Sequence, residues 1–294
     1  PIIVPAFRTI TISPEGQIFV QPLGAELDAP PIEIGMIGTA VPEENIKLKK
    51  SLDGHIRIIP NTSKTKNEVE SFSEQLGVDI PYIVENGSAI HNLDLVCSHF
   101  GKNNKSLILS RTADEIFEIF NNKVPLSLRN QCLFLKDMNA SKQSKVLGLN
   151  GEKLTSALNR LYSIPLIFNG PIEIKNELIS IFNDLDIKLH EGGRVINICD
   201  NCSKGDAMKI ILKKMEGIKK KYYSIVIGDS PNDISMLALS NQPCVVPLPD
   251  QDNLNKLKLK KVIRANQVAP DGWKEVVLKS LDRINFKFKE DSYG

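Results

Sequence analysis

The sequence predicts an α/β protein, a doubly wound parallel sheet carrying an inserted α+β domain. A strand, a polar loop, a helix and a second strand follow one another over residues 55–84, and strand–helix order resumes over 204–247. Between them, residues 91–196 alternate helical and strand patterns with polar breaks. Strand–loop–helix–strand order implies parallel strands joined by a right-handed crossover. The core is therefore expected at 1–90 and 197–294, and the insertion at 91–196.

Residues 8–13 alternate, turn at Pro14-Glu15-Gly16, and continue as a second strand over 17–21. The stretch 22–31 reads as loop, because Pro30-Pro31 removes two backbone donors. An apolar run follows at 32–37, then a helix over 43–52 that stops at Asp53-Gly54. Residues 55–60 form the next strand, 61–65 a polar break, 66–76 a helix closed by Gly77, and 80–84 a strand running into Glu85-Asn86-Gly87. In the middle, 113–121, 151–161 and 175–184 carry helical periodicity, and 188–198 is strand folded around Gly192-Gly193. The last third reads helix 204–215, strand 223–227, loop 228–233, helix 234–239, strand 243–247 and a closing helix 272–281.

A hydrophobic content of 41%, a charged content of 24% and a net charge of +2 over 294 residues describe an ordinary globular chain without a nucleic-acid footprint. The Lys219-Lys220-Lys221 run is read as a solvated helix end. No apolar run approaches the ~18 residues a membrane span needs, and no secretory leader is expected at Pro1-Ile2-Ile3-Val4. Cys97, Cys132, Cys199, Cys202 and Cys244 form an odd, scattered set, which points to reduced thiols and a cytoplasmic setting. Cys199 and Cys202 make a C-x-x-C pair, open to a structural or a redox reading, with no second Cys/His pair to complete a zinc finger.

Three loops fall at the carboxyl ends of the expected strands, where open α/β sheets bind ligands. In the first, Asn61-Thr62-Ser63-Lys64-Thr65, hydroxyls and helix-start amides suit a phosphate, with Lys64 adding charge; the same hydroxyls also suit helix capping. In the second, Ser203-Lys204-Gly205-Asp206, a lysine opposes the helix dipole, a placement that a bound anion would offset. In the third, Gly228-Asp229-Ser230-Pro231-Asn232-Asp233, two carboxylates and an amide offer hard oxygens for Mg²⁺.

Taken in order, T-S-K-T, E-N-G-S-A-I, H-E-G-G-R, a Lys-Gly turn and G-D-S-P-N-D resemble the haloacid dehalogenase superfamily, in its Cof-type branch with a large inserted cap. Ser63-Lys64-Thr65, His190-Glu191-Gly192-Gly193-Arg194, the GDSPND form and Ala269-Pro270-Asp271-Gly272-Trp273 are most similar to the mannosyl-3-phosphoglycerate phosphatase family. The likeness covers roughly 55–281. It implies phosphoric monoester hydrolase chemistry: one Asp attacks the phosphoryl group, a second acts as acid and base, and Mg²⁺ neutralises charge. It further implies that Thr62, Ser63, Lys64 and Lys204 bind phosphate, that Asp229, Asn232 and Asp233 serve the metal, and that Gly192, Gly193 and Arg194 face a glycerate end. The implied partner is a phosphorylated small molecule, a glycosyl phosphoglycerate of compatible-solute synthesis.

The pattern breaks at its first motif. The segment that should run into Asp-x-Asp-Gly-Thr reads Ile34-Gly35-Met36-Ile37-Gly38-Thr39, with Gly35 at the nucleophile's position and Ile37 at the acid/base's. Neither side chain can attack, carry a proton or ligate a metal. Asp28 precedes Pro30-Pro31 without a strand, and Asp53 sits in the turn into the next strand. Two readings stand: a degenerate phosphatase that holds a sugar phosphate or a protein partner, and an active Mg²⁺-dependent phosphatase whose nucleophile lies elsewhere. Gly35 is expected at the end of a central parallel strand, beside Asp229.

Overall fold

A computed structural model describes residues 57–75, 77, 79–96, 105–191, 195–216, 223–248 and 259–284, together with the backbone of 7–12, 17–22 and 32–36. In chain order the strands are β1 (Phe7–Ile12), β2 (Gln17–Pro22), β3 (Ile32–Met36), β4 (Tyr82–Val84), β5 (Ala89–His91), β6 (Ser106–Ile108) and β7 (Cys132–Phe134). They continue with β8 (Ser163–Phe168), β9 (Ile187–Glu191), β10 (Ile196–Asp200), β11 (Ile225–Gly228), β12 (Gln242–Val245) and β13 (Ile263–Arg264). The helices are α1 (Lys66–Gln75), α2 (Ala113–Lys123), α3 (Leu126–Arg129), α4 (Ala140–Leu147) and α5 (Gly151–Leu158). After these come α6 (Ile172–Asp184), α7 (Lys204–Glu216), α8 (Ile234–Leu237) and α9 (Asp271–Arg283). The chain divides into two compact units, one of residues 1–58, 72–79 and 221–294, the other of 59–71 and 80–220. Among the described residues no helix is long and apolar enough to cross a membrane.

The first unit holds a parallel sheet, β11-β12-β13. Its strands carry apolar residues on both faces, as buried parallel strands do. Cys244, Val246 and Ile263 pack with Val276, and Ile225 and Ile227 reach Val277 and Leu281, so α9 covers one face. The same unit holds β1-β2-β3, paired antiparallel throughout.

Here the structure departs from the expectation for Gly35. The strand that carries it, β3, runs antiparallel to β2, with Gly35 opposite Ile18 and Met36 opposite Gln17. The parallel sheet of the described residues is β11-β12-β13, without β3. The physical reason is locality: antiparallel neighbours need only a short connection, whereas a parallel partner needs a long crossover. Ile37, Asp28, Asp53 and the expected helix 43–52 lie outside the described residues.

The second unit begins with the expected βαβ element, reduced on its first arm. Thr62 N–H donates to Ile83 O (3.0 Å) and Ile83 N–H to Pro60 O (2.8 Å), a parallel bridge at Asn61, and the described residues 57–60 carry no strand. Pro60 has no N–H with which to extend the ladder. The crossover is α1, whose Val69 packs on Tyr82, Val84 and Ala89. β4, β5 and β6 form one antiparallel sheet.

A separate four-stranded antiparallel sheet, order β7-β8-β10-β9, forms the α+β part of this unit. Its core joins Ile116 and Phe120 of α2, Val124 just after it, and Leu178 and Phe182 of α6 to Phe134, Ile164, Leu166, Ile187 and Ile198 of the strands. Positions 116 and 120 lie one helical turn apart, on the face of α2 turned to the core. Phe120 meets Phe134 edge-to-face at 5.1 Å between ring centroids. Thr112 starts α2 with a reciprocal cap, accepting from Glu115 N–H and donating its own N–H to the Glu115 carboxylate (2.7 Å). The expected limits of the insertion fall inside sheets: His91 ends β5, which pairs with β6, and Ile196 begins β10, which runs on to Asp200. Polar breaks in a sequence do not reveal which strands share a ladder.

Candidate functional site

The loop after Pro60 and the start of α7 are held together by one side chain. Asn61 Nδ2 donates to the backbone O of Lys204 (2.9 Å), across 143 residues of sequence. Thr62 O accepts from Asn86 N–H (3.0 Å) and Lys64 O from Glu85 N–H (3.0 Å), so the Glu85-Asn86-Gly87 turn clamps the loop from the other side. That turn has three consecutive positive φ angles, 46°, 62° and 101°. Gly87 is required there: a Cβ on it would lie 2.1 Å from Ser203 O.

The loop's hydroxyls divide into capping and cradle groups. Thr65, fully buried, caps α1: its hydroxyl accepts from Glu68 N–H (3.2 Å) and its N–H donates to Glu68 Oε2 (2.9 Å). Thr62 Oγ1 instead accepts from Lys64 N–H (3.2 Å) and stays in the loop. Lys64 Nζ pairs with Glu68 Oε1 at 3.1 Å, so the carboxylate partly neutralises its charge. Ser203 caps α7, donating its hydroxyl to Asp206 Oδ2 (2.6 Å) and accepting from Asp206 N–H (3.1 Å). Lys204 is thereby the first residue of α7, and it is only 6% exposed. A lysine there opposes the helix dipole and is costly to bury, so the position favours an anionic environment. Thr62, Ser63, Lys64 and Lys204 thus belong to one hydrogen-bonded neighbourhood.

Sequence reasoning missed the group that fastens this neighbourhood to the following strand. Glu85 is fully buried, and its carboxylate accepts from Leu161 N–H (3.0 Å), Tyr162 N–H (3.1 Å) and Ser163 Oγ (2.6 Å). Arg160 donates to Ser63 O (3.2 Å) and Ser163 Oγ (2.9 Å). The available signal was a carboxylate directly before Asn-Gly, a residue type seldom placed at positive φ without a partner.

The Gly228–Asp233 loop lies in the other unit. Asp233, almost fully buried, turns back so that Oδ2 accepts from the N–H groups of Asp229 (2.9 Å) and Ser230 (3.1 Å) and from Ser230 Oγ (3.1 Å). Gly228 makes room for it, since a Cβ there would lie 2.5 Å from Asp233 Cβ. Asn232 Oδ1 accepts from Ser230 Oγ (2.6 Å). One oxygen of Asp233 is therefore committed to shaping the loop, which leaves Asp229 as the loop's other carboxylate. Among the described residues no group of three or more His, Cys, Asp or Glu could hold a metal alone. The donor chemistry of this loop, carboxylate and amide oxygens, is of the hard kind that suits Mg²⁺.

Gly192, Gly193 and Arg194 lie outside the described residues. His190, just before them, sits in β9 with Nε2 3.2 Å from Cys202 O. Burial pushes its imidazole below the ordinary range.

A model of the haloacid dehalogenase-like hydrolase family matches residues 38–247. A glucosyl-3-phosphoglycerate/mannosyl-3-phosphoglycerate phosphatase of Persephonella marina is 28% identical over 267 residues, covering 84% of this chain and 95% of its own. A protein of the same description from Methanococcoides burtonii is 24% identical over 239 residues, 78% of this chain and 86% of its own. Among solved structures, the sucrose-phosphatase of Synechocystis in complex with sucrose and phosphate superposes with a TM-score of 0.53 at 12% identity, covering 83% of this chain and 90% of that one. This last likeness concerns the fold alone. With the family match spanning well over half its length, the chain belongs to the haloacid dehalogenase-like hydrolases.

Proposed function

We propose that this chain is a phosphatase homologue that binds a glycosyl phosphoglycerate or a related sugar phosphate and has lost most or all of its hydrolysis. The observation that carries the binding half is the Asn61–Lys204 bond, which joins the Thr62 loop to a buried lysine at a helix start. In this reading Thr62, whose Oγ1 already accepts from Lys64 N–H, donates its hydroxyl proton to a phosphoryl oxygen. Lys204 supplies the fixed positive charge, with Ser63 and Lys64 at the rim. Gly192, Gly193 and Arg194 are assigned to the glycerate end. Mg²⁺, when bound, would neutralise phosphate charge, with Asp229 and Asn232 as its protein ligands and Asp233 holding their loop in shape.

Two observations support the loss of hydrolysis. Gly35 and Ile37 stand where a nucleophile and an acid/base belong in sequence order, and the family match begins at Gly38, just after them. The strand that carries Gly35 pairs antiparallel with β2. Removing the covalent catalyst from a group of residues that acts as a unit lowers turnover by orders of magnitude. The competing reading, an active Mg²⁺-dependent phosphatase of mannosyl- or glucosyl-3-phosphoglycerate, is favoured by the descriptions of the curated relatives. A partner protein in place of turnover, a cytoplasmic setting and a link to compatible solutes belong to the proposal as well.

Binding is tested by calorimetry and thermal unfolding with inorganic phosphate and with each glycosyl phosphoglycerate. A ligand at 100 times its Kd should stabilise by about 2.7 kcal/mol. Saturable binding supports the reading, and no stabilisation by any of these ligands would overturn its binding half.

A further inference from the structure

The C-x-x-C pair sits against the phosphate loop. Cys199 is the fourth residue of β10 and fully buried, and Cys202 is almost as buried, two residues before α7. Between them the chain doubles back, Cys202 N–H donating to Asp200 O (2.6 Å). Within this C-x-x-C turn the two thiols interact: Cys202 and burial push the Cys199 thiol up, while Cys199 pulls the Cys202 thiol down. Ser88 Oγ, which donates its proton to Glu85 O (2.7 Å), lies 3.4 Å from Cys202 Sγ. The other described cysteines, Cys132 and Cys244, are buried elsewhere and free.

We infer that Cys199 and Cys202 are a redox-convertible dithiol, oxidised to a disulfide by a peroxide, and that the conversion moves the start of α7 and the Glu85-Asn86-Gly87 turn. The pair is chemically asymmetric in the way such chemistry requires. Cys202 is the readier thiolate: Cys199 pulls it below the ordinary thiol range, and it lies just before a helix N-terminus. Its partner is held as the thiol by the interaction with Cys202 and by burial. A peroxide is close to water in size, so it suits a nearly buried sulfur better than a peptide disulfide does.

The Cys202 thiolate attacks one oxygen of hydrogen peroxide, the O–O bond breaks, and hydroxide leaves and takes a proton as water. The Cys202 sulfenic acid is then attacked by Cys199 sulfur. The S–O bond breaks, the S–S bond forms, and a second water departs with the Cys199 proton. Two thiols and one peroxide become one disulfide and two waters.

The conversion is transmitted because there is no slack around it. Drawing the sulfurs to bonding distance shifts Cys202, and Ser203 follows it directly in the chain. Ser203 O already touches Gly87 closely enough to forbid a Cβ, and Asn61 holds the next carbonyl, that of Lys204. The consequence for ligand affinity rests on the reading of Lys204 as a phosphate ligand; the disulfide and the local shift do not.

The test treats the reduced full chain with hydrogen peroxide and follows three readouts. Intact mass should fall by two hydrogens, and non-reducing peptide mapping should join Cys199 to Cys202. A dithiol reductant should reverse both changes. Amide exchange over residues 85–91 and 203–211 should change several-fold between the two forms. Phosphate affinity should be roughly tenfold weaker in the oxidised form. Cys199→Ser and Cys202→Ser should each remove the mass change; should either fail to fold, the wild-type peptide map decides alone. Thiols that stay reduced in the native chain, a disulfide between other cysteines, or a Cys199–Cys202 disulfide that leaves exchange unchanged would each overturn the inference. If the reduced form binds no phosphate while mapping and exchange behave as expected, the phosphate reading fails and the redox site stands.

Discussion

The Thr62–Lys204 neighbourhood and the strand carrying Gly35 are held in different ways. The first is fixed by contacts between distant parts of the chain: Asn61 to Lys204, Glu85 to 161–163, Arg160 to Ser63. The second is a member of a three-stranded antiparallel sheet made with its nearest neighbours in sequence. The residues proposed to hold a phosphate are tied by bonds that reach across the sequence. The segment at the expected first motif has Gly35 and Ile37 in place of carboxylates. In the proposed reading, holding and attacking are separable tasks, so a cradle can persist without a nucleophile.

The comparison is broken most directly at Lys204. Lys204→Met should weaken phosphate binding by roughly 10- to 100-fold, the loss expected for about 1.5–3 kcal/mol of charge-assisted hydrogen bonding. Calorimetry reads the change, and circular dichroism confirms that the fold persists. An unchanged Kd would remove Lys204 from the site.

A smaller effect is expected at the turn that clamps the loop. Gly87→Ala places a Cβ at φ 101° and 2.1 Å from Ser203 O. A cost of about 1–3 kcal/mol follows from forcing an L-residue into that region. Urea unfolding should show the loss together with weaker phosphate binding, because Ser203 and Lys204 must yield. Lost stability without lost binding would separate the turn from the cradle.

The antiparallel side of the comparison is sharpened by restoring what is missing. Gly35→Asp with Ile37→Asp should leave phosphate release at background, since β3 is paired with β2 and not with the parallel sheet. Release rising well above wild type would show that this strand takes up the parallel position when carboxylates are supplied.

The smallest effect is a pH dependence. His91 and His190 are both pushed below the ordinary histidine value of 6.5, in each case chiefly by burial. The unfolded chain therefore binds protons that the folded chain resists. Stability should be complete above 6.5 and fall as pH drops below it, toward the depressed folded values. Urea midpoints taken from neutrality down to about pH 5 would show the decline. His91→Gln should flatten part of it, and a midpoint that rises on acidification would contradict the assignment.

Much of this was legible in the sequence because it was local. The alternation around Pro14-Glu15-Gly16, the loop before α1, the Glu85-Asn86-Gly87 turn and the GDSPND loop all announce themselves through neighbouring residues. So does the folding of Thr65 into a cap, although residue types alone left capping and phosphate binding open for the whole loop. What was not legible depends on partners far away in sequence. Asn61 looks like any polar residue at a strand end until Lys204 is placed beside it. Glu85 and Arg160 act through residues 161–163 and Ser63, and no spacing rule connects them. The run at 32–37 signalled a strand, but an apolar pattern carries no direction, so its antiparallel pairing could not be read.

The most direct test of the central claim is phosphate release by the purified wild-type chain, with Mg²⁺ and saturating mannosyl- or glucosyl-3-phosphoglycerate. The Persephonella marina relative serves as the positive control. The account predicts ligand binding without release above background. Sustained Mg²⁺-dependent release at an ordinary enzyme rate, about 1 s⁻¹ or faster, would contradict it and place a working nucleophile elsewhere in the chain.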